Sequence, residues 1–139
     1  MKKAWVLTTI LIVTLAFVVN VSAERKGTVK VDFDPNVGWT NLNTTASGRL
    51  NATAHLYNGA PNQDFMVNVR IRYEDGTVAQ FTNIATLSTN GGGIGNVQVQ
   101  VDIDPPTGSN TLRRVAVRLR TPSPPIALYV ATAWDLPLK

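Results

Sequence analysis

The most regular alternation in the chain runs from Asn90 to Arg120, NGGGIGNVQVQVDIDPPTGSNTLRRVAVRLR. In its first half Val97, Val99, Val101 and Ile103 fall on one side, with Gln98, Gln100, Asp102 and Asp104 on the other. The second half sets Val115, Val117 and Leu119 against Arg114, Arg118 and Arg120. A period of two residues means half-buried strands, one face toward a core and one toward water. The same pattern predicts strands over Gly27 to Asp34, Gly48 to Tyr57 and Phe65 to Tyr73, and a last strand from Ile126 to Trp134. Asp75-Gly76 marks a two-residue type I′ hairpin leading into Thr77 to Thr82, because both central positions of that turn need positive φ. The polar stretch from Val37 to Ser47 reads as a long loop pinned by Trp39 and Leu42, and Asn83 to Thr89 as a less regular segment. Ala52 and Ala54 stand in an inward row and leave volume that Trp39 or Trp134 is expected to fill.

These elements predict an all-β, seven-stranded antiparallel Greek-key β-sandwich of immunoglobulin-like or fibronectin-like type, with a jelly roll or small barrel as the second choice. All eight prolines fall between the expected strands or at the chain end, where a missing N–H costs no ladder hydrogen bond.

The N-terminus changes how much of the chain must fold. Met1-Lys2-Lys3, the apolar run from Ala4 to Val19 and the small triplet Val21-Ser22-Ala23 read as a secretory signal peptide, residues 1–23, cleaved after Ala23. The competing reading is an uncleaved anchor, since the run sits at the lower length limit for spanning a bilayer. Cleavage leaves residues 24–139 as a single domain of 116 residues, large enough for a core without staples. It also lowers the charge: 13 basic and 9 acidic residues become 11 and 9 once Lys2 and Lys3 are gone. Global charge then says little about partners, and neither nucleic acid nor, after cleavage, a membrane is expected among them. There is no cysteine, which excludes disulfides, thiol catalysis and Cys-ligated zinc. The expected address is secreted, extracellular or at the cell surface, or the periplasm if the host has one.

Three sets of residues carry candidate chemistry. Val31-Asp32-Phe33-Asp34-Pro35 is echoed by Val101-Asp102-Ile103-Asp104-Pro105. If both strand ends met at one pole, Asp32, Asp34, Asp102 and Asp104 would offer carboxylates to calcium, which takes six to eight oxygens. Asp before Pro also simply ends a strand and begins a turn. The second set is Arg70, Arg72, Arg114, Arg118 and Arg120, which share one outward face if the Phe65 and Leu112 strands are neighbours. Arginine forks pair bidentately with carboxylate, sulfate or phosphate, so an anionic polysaccharide matches, unless nearby acids already neutralise the set. The third is His55, the only histidine, whose neighbours by alternation are Asn51 and Thr53. No second histidine or cysteine completes a zinc or nucleophilic site around it. The glycine run Asn90 to Gly95 precedes a strand and lacks the Lys-Ser/Thr of a nucleotide loop, so it reads as a flexible turn or bulge.

The function expected from these features is a non-enzymatic extracellular subunit, structural, self-assembling or adhesive, with the strand after the cleavage site able to pair with a neighbouring subunit. A binding module for acidic polysaccharide or another anionic cell-surface polymer is the alternative. A small secreted hydrolase built on His55 or the aspartates is the third, and 116 residues leave it little room for a cleft.

Overall fold

The computed structural model describes residues 28–45, 48–103 and 112–136. The expected signal peptide, Asp104 and the proline turn that follows it lie outside the described residues. Eight strands make two antiparallel sheets of four, packed as a β-sandwich. They are β1 (Val29–Asp32), β2 (Gly38–Thr45), β3 (Arg49–Leu56), β4 (Asp64–Tyr73), β5 (Val78–Ser88), β6 (Gly95–Asp102), β7 (Leu112–Arg120) and β8 (Leu128–Leu136). One sheet has the order β1-β2-β3-β6 and the other β5-β4-β7-β8. The strands β2 and β3, β4 and β5, and β7 and β8 are hairpin neighbours, while the chain changes sheet between β3 and β4, β5 and β6, and β6 and β7.

The strand that alternation missed is β2, in the stretch expected to be a loop. Its buried positions are Gly38, Thr40, Leu42 and Thr44, so one aliphatic residue supplies the whole apolar signal. The backbone is nonetheless paired on both sides, Leu42 to Val29 of β1 and to Ala52 of β3. The hydroxyl of Thr40 is buried without a hydrogen-bond partner among the described residues. The second difference is β5, which continues through Ser88 rather than stopping at Thr82. Its pairing to β4 breaks between Val67 and Val69, where Asn83 takes a positive φ of 52° and donates its N–H to Asn68 Oδ1 at 2.7 Å. A bulge of this kind scrambles the alternation locally and twists an edge strand away from foreign partners.

No tryptophan among the described residues enters the core. Its largest fully buried side chains are Phe33 and Phe65, and Phe65 lies against the ring of Tyr129 with centroids 5.6 Å apart. Trp39 is half-buried on the outer face of the first sheet, and Trp134 is 62% exposed on the outer face of the second. Both expected roles in filling the space beside Ala52 and Ala54 are therefore overturned. Alternation had no means of deciding that β8 buries Ala131 and Ala133 instead.

At the β4–β5 connection only Gly76 has positive φ, 91°, so the expected two-residue type I′ turn does not form. Gly76 N–H reaches Tyr73 O at 3.0 Å and Tyr73 N–H reaches Thr77 O at 2.8 Å, leaving a three-residue loop closed by a left-handed glycine. Asp75 Oδ1 accepts the Thr77 N–H at 2.8 Å. The glycine run before β6 is a built turn rather than a loose one. Asn90 Oδ1 accepts the N–H groups of Gly92 and Ile94, and Gly93 O accepts Gly59 N–H at 3.1 Å. Gly93 has φ of 72°, and a Cβ there would stand 2.3 Å from Gly59 O. That approach docks the turn on the loop between β3 and β4.

Candidate functional site

The outer face of the second sheet is organised as rows across its four strands. Arg72 of β4 pairs with Val78 of β5 and with Arg114 of β7, and Arg114 pairs in turn with Trp134 of β8. The next row is Gln80, Arg70, Ala116 and Thr132. Below it Asn68 faces Arg118, which faces Val130; below that Thr86, Met66, Arg120 and Leu128 form the last row. The five arginines singled out by alternation, Arg70, Arg72, Arg114, Arg118 and Arg120, are thus all exposed on adjacent strands of one face.

The small side chain at Ala116 shapes this surface. It stands beside Arg70 with Arg114 and Arg118 on its own strand, and a shallow concavity of about 330 Å³ lies over it. Arg70, Arg72, Arg114 and Arg118 line the hollow, with Gly76 and Val78 at its rim. A second hollow of about 260 Å³ continues the face past Arg120, lined by Asn68, Asn83 and Thr121 among others.

Among the described residues none of the five arginines has a carboxylate at ion-pair distance. The two ion pairs use other arginines: Arg49 Nε to Asp102 Oδ1 at 3.0 Å, and Arg113 Nη1 to Asp135 Oδ1 at 2.8 Å. Arg113 is directed away from the set by a bulge, since β7 inserts a residue opposite the step from Arg72 to Tyr73. Arg72 and Arg114 face each other directly, an arrangement of like charges that destabilises a sheet unless something neutralises it. Among the described residues Arg114 alone of the five has an aromatic partner, its guanidinium lying 5.3 Å from the ring centroid of Trp134. Trp134, Ala116 and the Gly76–Val78 rim are the parts of this surface that sequence reasoning missed. The two-residue spacing of Val130, Thr132 and Trp134 was the available signal, but β8 was long enough to admit either facing.

The aspartates do not converge. Asp32 lies in the row Asp32, Trp39, His55 and Asn96, whereas Asp102 lies in the row Thr45, Arg49 and Asp102. Six residues of β6 separate the two rows, about 20 Å at 3.4 Å per residue. The strand ends that carry the echo point to opposite poles, because β1 and β6 run antiparallel across the intervening β2 and β3. Asp34 meets the other sheet through its backbone, with its N–H 2.9 Å from Val130 O. Asp102 is taken up by Arg49, and Asp104 lies outside the described residues. Among the described residues no three His, Cys, Asp or Glu side chains stand together in a way that could hold a metal.

His55 is stacked on Trp39, ring centroids 4.0 Å apart and planes 27° from parallel, and Lys30 Nζ lies 4.8 Å from the Trp39 centroid. The rest of that outer face is largely amide, with Asn51 donating to Asn43 Oδ1 at 3.0 Å. Neither a protein-family profile nor a characterised protein nor a solved structure matches the chain.

Proposed function

We propose that the chain is an exported, non-enzymatic binding module that takes up an acidic polysaccharide or other anionic cell-surface polymer across the outer face of β4 and β7. The observation that carries the reading is the five-arginine face without carboxylate partners among the described residues, beside two arginines elsewhere that have them. Like charges held side by side on a sheet are costly, and a multivalent anion offsets that cost while gaining charge-assisted hydrogen bonds. Export rests on the basic, apolar and small-residue segments of residues 1–23. The immunoglobulin-like or fibronectin-like type rests on strand order: the hairpin β2–β3 in one sheet, the hairpins β4–β5 and β7–β8 in the other, β3 beside β6 and β4 beside β7, with β1 as an additional edge strand. A non-enzymatic role is supported by the stacking of His55, the one histidine of the chain, against Trp39.

The test is retention on an immobilised acidic polysaccharide in a salt gradient. The Arg70→Gln, Arg72→Gln, Arg118→Gln variant should elute at much lower salt than the parent protein; coincident elution overturns the reading.

A second reading, an extracellular self-assembling or adhesive subunit, is favoured by exposed Ile126, Leu128 and Trp134 on or beside the edge strand β8. Donation of the N-terminal strand to a neighbour would require β1 to leave its own ladder, where Val29, Lys30, Val31 and Asp32 pair with β2. A concentration-independent monomer mass in sedimentation would remove the self-assembling form of that reading.

A further inference from the structure

We infer that the occupant of this face is a linear acidic glycan lying along the β4–β7 ladder, with one sugar ring stacked on Trp134 and its acid groups distributed between Arg114 and Arg120. The inference rests on the anion-binding reading above and specifies its ligand. Three features carry it.

The first is shape. The two hollows are not separate pockets on different sides of the molecule but successive stations on one face, the row of Arg72 and Arg114 at one end and that of Met66 and Arg120 at the other. Six residues of β4 span them, about 20 Å at 3.4 Å per residue. A compact anion such as inorganic phosphate could touch one station only, whereas a chain with acid groups at regular intervals reaches both.

The second is the aromatic. Trp134 ends the row that contains Arg72 and Arg114, and its indole is 62% exposed. The Arg114 guanidinium, 5.3 Å from the centroid, lies over the ring and holds a charge donor beside an apolar plate. A uronic acid presents both matching parts on one ring: a C–H face for the indole and a carboxylate for the arginine fork. Polyphosphate has no apolar face to offer.

The third is the remaining lining. Asn68 and Asn83 at the second hollow supply neutral donors and acceptors suited to hydroxyl groups, while the buried Thr121 hydroxyl is committed to Pro125 O and the Ala127 N–H. Single-stranded nucleic acid would also stack on an aromatic, but such surfaces use several aromatics for successive bases, and this face has Trp134 alone among its described residues.

The experiment uses residues 24–139 carrying Trp39→Phe, so that tryptophan fluorescence reports Trp134 alone, with galacturonate oligomers from dimer to octamer, polyphosphate and oligothymidylate as probes. The expected result is a change in Trp134 fluorescence on adding oligogalacturonate, with affinity rising about tenfold or more between dimer and hexamer and then levelling. In the otherwise native protein, Trp134→Ala should weaken oligogalacturonate binding about tenfold and leave polyphosphate binding within about twofold. If polyphosphate or oligothymidylate binds as tightly and Trp134→Ala has no selective effect, the glycan assignment is overturned while the anion-binding face stands. If no probe binds in a salt-sensitive way, both fall.

Discussion

Alanine substitution at two left-handed glycines separates close backbone approach from conformational freedom. Gly76 and Gly93 both have positive φ, 91° and 72°, but a Cβ at Gly76 meets nothing within 4 Å, while one at Gly93 stands 2.3 Å from Gly59 O and 3.0 Å from Gly59 N. Placing an L-residue in the left-handed region costs about 1 kcal/mol at either position. At Gly93 the chain must also move the loop between β3 and β4, with loss of the Gly59 N–H to Gly93 O hydrogen bond at 3.1 Å, a further ~1 kcal/mol. The contact itself raises the total, so Gly93→Ala should destabilise by about 2–4 kcal/mol and Gly76→Ala by about 1 kcal/mol. Equilibrium urea unfolding reads the difference directly. With a slope of about 1.5 kcal/mol per molar, the midpoints should fall by roughly 1.3–2.7 M and roughly 0.7 M. Equal shifts in the two variants would refute the docking of the glycine turn on Gly59 as the reason for glycine at position 93.

Other consequences concern single side chains. Thr40→Val exchanges a buried hydroxyl without a partner among the described residues for an isosteric methyl, and should raise stability by about 1 kcal/mol in the same urea assay; a loss would show that the hydroxyl is satisfied. Arg72→Gln removes one of two directly opposed guanidiniums and should leave stability unchanged or raise it by a few tenths of a kcal/mol, read as a melting temperature at low salt. The hydrogen bonds from Thr77 hold the Asp75 carboxyl below its ordinary value. A depressed carboxyl stabilises the fold above its unfolded pKa, about 3.9, and that contribution is lost as pH falls through the folded value. The stability of Asp75→Asn should therefore converge with that of the parent in acid; a difference that persists unchanged at low pH would contradict this.

The parts legible in the sequence are those in which apolar and polar residues alternate strictly. Val67, Val69 and Ile71 facing Arg70 and Arg72, and Val115, Val117 and Leu119 facing Arg114, Arg118 and Arg120, announced both the core and the arginine face before any pairing was known. The pairing of β4 with β7 then brought the five arginines together. What stayed hidden has particular causes. The inward row of β2 is Thr40, Leu42 and Thr44, and threonine reads as surface although its methyl packs well in a strand. The β5 bulge at Asn83 is held by a hydrogen bond from its own N–H to Asn68 Oδ1, fifteen positions away. Trp39 or Trp134 is expected to fill the volume beside Ala52 and Ala54 because interiors tolerate few voids, yet Trp39 sits on an outer face and β8 buries its alanines and turns the Trp134 indole toward Arg114. The aspartate echo does not bring Asp32 and Asp102 together, for a topological reason: two similar pentapeptides end on strands that point to opposite poles.

The most direct test of the arginine face is the salt dependence of affinity for an acidic polysaccharide, measured by titration of residues 24–139. At about 0.7 counterions released per neutralised charge, the value for a single-stranded polyanion, five arginines give a log–log slope of roughly −3.5. Raising salt fourfold should then weaken binding about 100-fold. The Arg70→Gln, Arg72→Gln, Arg118→Gln variant keeps two of the five, so its slope should fall to roughly −1.4 and its loss to about sevenfold. Parallel slopes for the two proteins, or a parent slope near zero, would contradict the claim that these arginines hold the ligand.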